Sequence, residues 1–406
     1  MMNKKTIALY VHIPFCIRKC LYCDFLSEKA TGEVKLKYLE AMRKEMECWR
    51  LFLGEEYSIR SIFLGGGTPT ALDADLYAVL LDMIATVFGD MFSDHVEYST
   101  EANPGTITIS HIQHMKTFGI NRVSLGLQSA NDRELQALGR IHSYKDFLDS
   151  YEKLRTFDID NINIDLMADI PGQSMKSYEN TIKQVVRLKP EHISSYSLMI
   201  EEGTVFYEMH QQGKLLIPSE EEDRAMYEYT KEFLLANGYE RYEISNYAKK
   251  GFECVHNITY WTGEEYLGIG LGASSYIKGF RFQNQTVLST YVERWGDVDS
   301  FMFATQCLEA LFQNMYQGSL FETEVHHLSE KEKIEEYVFL GFRMMKGISE
   351  TAFKMRFGRS FSHLYQEILD KYISLGYIKT DRKKQRFFLS DRGIDISNTI
   401  LAEFLL

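Results

Sequence analysis

Hydrophobic positions in the first half of the chain follow two alternating patterns. Short β-branched runs at 6–12, 59–64, 95–100, 122–125, 161–166 and 192–198 read as strands. Between them, 34–53, 74–88, 110–118, 144–157 and 177–188 carry apolar residues at helical spacing. Strands that alternate with helices are expected to be parallel, because each returns to the same edge through a crossover. Right-handed crossovers curl such a sheet into a full or partial barrel. The expected fold class is α/β, a partial (β/α)6 TIM-like barrel rather than an open doubly wound sheet, a choice the pattern alone leaves open.

After about Ile217 the pattern changes. A helix over 220–237 closes at Gly238, and a polar, glycine-rich region follows through Cys254, His256 and 268–273. From Glu330 the chain reads as helical, with Ile334, Val338, Phe342 and Met345 on one face. A further helix at 361–375 ends at Gly376, strands at 377–379 and 386–389 flank a charged turn, and 394–405 closes the chain as a helix. Helix, helix, hairpin, helix resembles a small winged-helix module. The domains expected are a barrel over 1–238, a connecting region over 239–325 and a mostly helical domain over 326–406 with a winged-helix-like end. Beyond the βα alternation there is no internal repeat, and no segment is of low complexity.

Composition narrows this picture. A length of 406 residues exceeds what one core usually holds, which agrees with more than one domain. The formal net charge of -12 argues against a surface built broadly for nucleic acid or anionic lipid. Six cysteines are few for this length; three crowd into 16–23, while Cys48, Cys254 and Cys307 are scattered. That is no disulfide framework, so a reducing compartment is expected and the chain reads as cytoplasmic. The apolar run at 6–15 is not read as a signal peptide, since it contains His12 and Pro14 and lacks a small-residue cleavage site. No apolar stretch approaches the roughly 20 residues that span a bilayer. Peripheral membrane contact stays open.

The unusual residues fall at one recurring place, directly after strands. The cysteines follow the first strand and Gly65, Gly66, Gly67, Thr68 and Pro69 the second; Glu101, Ala102, Asn103 and Pro104 follow the third, and Gln128 the fourth. Asp165 sits near the end of the fifth. Parallel α/β barrels bind ligands at the carboxyl ends of their strands, so five separate candidates converge on one rim. Cys16, Cys20 and Cys23 on one loop can hold three irons of a cubane cluster and leave the fourth exposed. The alternatives are a zinc site completed by His12, or a redox pair of Cys20 and Cys23 that would leave Cys16 unexplained.

The run Tyr-Val-His-Ile-Pro-Phe-Cys at 10–16, with Cys20, Tyr22, Cys23, Asp24 and Phe25, resembles the radical S-adenosylmethionine superfamily. Within it, the chain is similar to the branch of oxygen-independent coproporphyrinogen III oxidases and HemW-type heme chaperones. The likeness continues through 65–70, 101–104, 122–129, 139–142, 163–165, 171–173, 242–248, 256–261, 268–275 and 391–406, nearly the whole chain. It implies a 4Fe–4S cluster on Cys16, Cys20 and Cys23 whose open iron chelates S-adenosylmethionine, which one electron cleaves to a 5′-deoxyadenosyl radical. It implies close backbone approach at Gly66 and Gly67, a carboxylate from Glu101 for the ligand's ribose or amino group, and Tyr10 on the adenine side. Gln128, Arg140 and Asp165, with Tyr22, Gly67 and Thr68, match positions where the oxidase branch holds a second S-adenosylmethionine. For Arg140 and Asp165 an ion pair across the barrel mouth is the structural alternative, and for Glu101 a solvent-facing rim charge.

Within the branch, the resemblance favours the chaperone type. The oxidases have a fourth cysteine two places after the third and a long leading segment, whereas this chain has Phe25 there and nine residues before Tyr10. His256, Asn257, Tyr260 and Trp261 match the H-N-x-x-Y-W motif of heme chaperones. A neutral imidazole is a good axial ligand, so His256 is expected to contact heme, with a satisfied structural histidine as the alternative. Cys254 and the pair His326 and His327 are rival ligands. The expected activity is heme binding and transfer to acceptor hemoproteins, with an electron donor and a homodimer as further expected partners. The rivals are coproporphyrinogen III decarboxylation or another radical modification of a porphyrin, so enzymatic activity stays open. Lys379, Arg382, Lys383, Lys384 and Arg386 on the hairpin read as solvation rather than nucleic-acid contacts, because the acidic whole supplies no supporting field.

Overall fold

A computed structural model of the chain describes residues 4–298, 320–322 and 325–406. Cys307 and the end of the expected connecting region lie outside the described residues.

Six strands carry the fold: β1 (Lys5–Ile13), β2 (Tyr57–Gly66), β3 (Phe92–Ala102), β4 (Arg122–Gln128), β5 (Asn161–Ala168) and β6 (His192–Ser197). They pair in sequence order and all in parallel. Helices α1 (Gly32–Leu53), α2 (Ala74–Phe88), α3 (Ile109–Thr117), α4 (Asp132–Ala137), α5 (Tyr144–Thr156) and α6 (Met175–Leu188) provide the crossovers. Each begins where a short polar side chain caps a free amide. Thr31 accepts from Val34 N–H and Asp73 from Leu76 N–H, while Ser143 and Asp146 form a capping box. β4 is buried along its whole length, as a central strand covered on both faces must be.

The sheet does not close on itself, and this is the partial barrel expected. On one side, β7 (Glu240–Arg241) and β8 (Asn246–Ala248) pair antiparallel beyond β6. They follow α7 (Val205–Gln211) and α8 (Glu220–Ala236), the latter turning at Gly238 with φ 85°. On the other side, after α9 (Val255–Trp261), strand β9 (Tyr266–Ile269) lies parallel to β1 and continues into β10 (Ser274–Ile277) and β11 (Phe280–Gln283). Residues 240–283 therefore extend the same sheet, and a boundary at 238/239 divides one sheet rather than two bodies. Strands of two to four residues are too short to show a hydrophobic period, so this stretch reads as a polar connection in the sequence.

One hydrophobic core runs from Ile7 to Phe321, and a separate one from Ile334 to Phe404. The second core holds helices at Glu330–Gly341, Glu350–Phe357 and Gln366–Ser374 and a three-stranded sheet. Ile348–Ser349 adds to the expected hairpin of Ile378–Asp381 and Arg386–Leu389, which completes the winged-helix order. Arg386 donates to the Lys346 and Gly347 carbonyls, so this hairpin cation serves the fold. The two cores meet through ion pairs from Arg224 to Asp395 and from Arg241 to Asp391 (3.0 Å). Among the described residues no helix is long and apolar enough to cross a membrane.

Candidate functional site

The loop after β1 returns on itself, because Cys16 N–H donates to the Glu28 carbonyl (3.0 Å) and Glu28 N–H to that of Pro14 (2.9 Å). Beneath it passes the chain leaving β2, with Gly67 N–H on the Ile13 carbonyl and Thr68 N–H on that of Phe15. Only glycine fits this crossing. A Cβ on Gly66, whose φ is +104°, would lie 2.4 Å from the His12 ring, and one on Gly67 would lie 2.7 Å from the Phe15 carbonyl.

Cys16, Cys20 and Cys23 are free, half-buried thiols on this loop. A chain of hydrogen bonds joins two of them across three strand ends. Cys16 Sγ lies 3.6 Å from Thr68 Oγ1, which accepts from Asn103 Nδ2 at 2.7 Å. Asn103 Oδ1 accepts from Arg140 at 2.6 Å, and the same guanidinium reaches the Gly126 carbonyl (2.5 Å) and Cys20 Sγ (3.5 Å). Burial pushes the Cys23 thiol up to about 11.

These thiols open onto a cavity of about 420 Å3. Tyr22, Gly66, Gly67, Thr68, Glu101, Gln128, Arg140 and Asp165 all line it, so the rim expected from the sequence is one site in space. Glu101 is not a solvent-facing charge. It accepts from Gly66 N–H (3.2 Å), and burial, followed by the neighbouring Asp165, raises it from 4.5 to about 8. Asp165 is raised too, by burial, against the hydrogen bonds it accepts from Asn163 (2.8 Å) and Ser124 (3.0 Å). Arg140 and Asp165 form no ion pair among the described residues; Arg140 is spent on Asn103, Gly126 and Cys20. Gln128 ends β4 with φ 71°, and its Oε1 accepts from Tyr196 (3.1 Å). Phe25 and Met199 stand at the mouth, 59% and 68% exposed.

The residues present fit a cluster and a cationic ligand. Three thiols without partners in a disulfide face a cavity lined by two carboxyl groups, Glu101 and Asp165, that burial raises above their ordinary values. A positive ligand would relieve exactly such groups by allowing them to ionise. The zinc alternative loses its fourth ligand, because His12 Nδ1 lies 2.9 Å from Tyr10 Oη and Nε2 2.9 Å from the Leu26 carbonyl.

Two expected site residues lie elsewhere. Tyr10 and His256 line a second chamber of about 220 Å3 inside the barrel, which shares Glu101, Ser124 and Asp165 with the first. His256 is 1% exposed; its Nδ1 lies 3.0 Å from Ser61 Oγ and its Nε2 3.0 Å from Tyr260 Oη, and its ring stacks on Phe63. Both ring nitrogens have a partner, as the structural alternative for His256 requires. Burial lowers it to about 3. Cys254 is equally buried, its Sγ 3.4 Å from Glu97 Oε1. Glu97 also accepts from the first amides of α9, Val255 (2.9 Å) and His256 (3.0 Å). Sequence reading missed Glu97, Asn103 as a bridge, and Ser124 as a partner of Asp165. Only the inward phase of β3 and β4 could have pointed to Glu97 and Ser124, and nothing in the order of the rim residues pairs Asn103 with Arg140.

Residues 10–185 match the radical SAM superfamily, and 328–396 match the HemN C-terminal domain. Over 405 residues the chain is 35% identical to the heme chaperone HemW of Lactococcus lactis subsp. lactis (strain IL1403), covering 100% of this chain and 99% of that one. It is also 35% identical to the heme chaperone HemW of Bacillus subtilis (strain 168), covering 98% of each. The fold is similar to that of the coproporphyrinogen III oxidase HemN from Escherichia coli, a radical SAM enzyme, with a TM-score of 0.80 at 21% identity over 99% of this chain and 90% of that one.

Proposed function

The chain belongs to the radical SAM superfamily and, within it, to the HemW heme chaperone family, and from that premise we propose that it binds heme and passes it to acceptor hemoproteins in the cytoplasm. The superfamily implies S-adenosylmethionine and a 4Fe–4S cluster. In this reading Cys16, Cys20 and Cys23 hold the cluster, which when bound supplies an open iron and a single electron drawn from a donor protein. Glu101 and Asp165 take the positive groups of S-adenosylmethionine, Gly66 and Gly67 allow its close approach, and Thr68 and Arg140 hold the sulfurs in register. Tyr22, on the cysteine loop, and Gln128, at the end of β4, complete the cavity wall. Tyr10 reaches the ligand only from the inner chamber.

The observation that carries this reading is the meeting of three free thiols and two carboxyl groups, both raised by burial, around one cavity. The donor set is complete for a cluster and for a small cation, in a chain that aligns end to end with heme chaperones.

The test is a single anaerobic preparation, reconstituted with iron and sulfide. Its reduced cluster should give a paramagnetic signal that changes when S-adenosylmethionine is added. It should bind heme, seen in the Soret band, and form no protoporphyrinogen from coproporphyrinogen. Zinc in place of iron, or a signal indifferent to S-adenosylmethionine, would overturn the site. Turnover with matching release of carbon dioxide would overturn the chaperone role in favour of the oxidase.

A further inference from the structure

With His256 closed off inside the barrel, the motif helix α9 has a second end to consider. Tyr260, whose hydroxyl meets His256 Nε2, also lines a cleft of about 340 Å3 on the outside of the sheet. This cleft lies between β9–β11 and the helices at Glu330–Gly341 and Glu350–Phe357, where the two hydrophobic cores face each other.

Its walls are aromatic. Tyr260 and Tyr266 meet edge to face at 4.7 Å between ring centres, with Tyr276 beside them and Tyr337 opposite. Among the described residues, the hydroxyls of Tyr266, Tyr276 and Tyr337 have no hydrogen-bond partner. The charges are just as particular. Both carboxylates in the cleft are already engaged: Glu336 takes Arg281 through two bonds (2.7 and 3.0 Å), and Glu264 takes Arg60 (2.9 Å). Lys333 and Arg356 have no carboxylate partner among the described residues. Arg356 is held in place by the Thr262 and Gly263 carbonyls (2.9 and 2.5 Å) and lies over the Tyr337 ring. Arg281 lies 5.5 Å over the ring of Tyr276.

Aromatic walls, phenols without a hydrogen-bond partner and two cations without a carboxylate partner among the described residues suit an aromatic ligand that carries a hard Lewis acid and ends in two carboxylates. We propose that this cleft is the heme site, with Tyr276 as the iron ligand through its phenolate oxygen and Lys333 and Arg356 on the two propionates. This rests on the chaperone reading above. Binding forms an iron–oxygen bond and releases the phenol proton to solvent, with no change of oxidation state. Phenolate is an established axial ligand of ferric heme. A cleft of this volume encloses part of the macrocycle and leaves an edge in water, as a cargo to be handed on requires. His256 then acts as a positioning residue that fixes Tyr260 in the cleft wall.

The test titrates ferric heme and, separately, its dimethyl ester into the reconstituted full-length protein. Wild type should show the charge-transfer absorption of a phenolate-ligated high-spin heme. Tyr276→Phe should abolish that band and weaken binding at least tenfold, while the cluster signal and its response to S-adenosylmethionine stay unchanged. The double variant Lys333→Ala/Arg356→Ala should lower heme affinity to that of the ester and leave ester affinity as it was. Wild-type binding together with an unaltered Tyr276→Phe spectrum and affinity overturns this placement and leaves the chaperone reading standing. Wild type that binds no heme overturns both.

Discussion

The cysteine-lined cavity and the tyrosine-lined cleft are both of ligand size, yet they are made of opposite materials. The cavity gathers thiols and carboxyl groups at the ends of consecutive parallel strands, and desolvation raises both carboxyl groups above their ordinary values. The cleft gathers phenols and cations from β9–β11 and two helices of the second core, and its carboxylates are already neutralised. On the proposed reading the first takes up positive charge and metal, and the second an anionic aromatic. Two ligands of unlike chemistry can thus be held on one chain without competing.

The sharpest way to break this comparison is to remove one ligand set and read the other. Cys20→Ala should bring iron and sulfide content to background, while heme affinity stays within about twofold, by the independence expected of sites with no shared partner. A parallel collapse of heme binding would show that the two sites are one.

Backbone strain offers the next largest effect. Gly66→Ala puts a Cβ 2.4 Å from the His12 ring at φ +104°, and should cost roughly 3 kcal/mol in a denaturant titration. Gly263→Ala at the cleft also has a positive φ, +62°, but its nearest neighbour is the flexible end of Arg356 at 3.5 Å. It should cost only about 1 kcal/mol.

Titration separates the two regions as well. Because Glu101 is raised from 4.5 to about 8, it ionises as pH rises toward 8. Affinity for S-adenosylmethionine should therefore increase over pH 6–8, by up to about tenfold per unit, and Glu101→Gln should flatten the slope. The ligand-free fold should lose stability across 4.5 to 8, since the native carboxyl keeps a proton that the unfolded chain has released. Smallest of all, Arg224→Ala removes a half-exposed ion pair with Asp395 between the two cores and should cost at most about 1 kcal/mol by thermal unfolding.

Much of the cavity was legible because a βα repeat puts the same geometric place after every strand. Cys16, Gly66, Glu101 and Gln128 each follow or end a strand, so order along the chain maps directly onto order around the rim. The short strands of 240–283 were not legible, because two to four residues carry no period and their pairing partners are far away in sequence. The surroundings of His256 were hidden for a related reason. A motif states which residues recur, and only packing states that this imidazole spends both nitrogens on Ser61 and Tyr260.

By itself, then, the sequence determined the parallel α/β barrel, the winged-helix order of the C-terminal part and the set of groups at the strand ends, since local periodicity and spacing encode these. Tertiary structure alone decided which way the motif helix faces, that residues 240–283 belong to the barrel sheet, and that four tyrosines and two cations with no carboxylate partner among the described residues share one cleft. Such meetings depend on long-range contacts and on desolvation, and neither is written in the spacing of neighbouring residues.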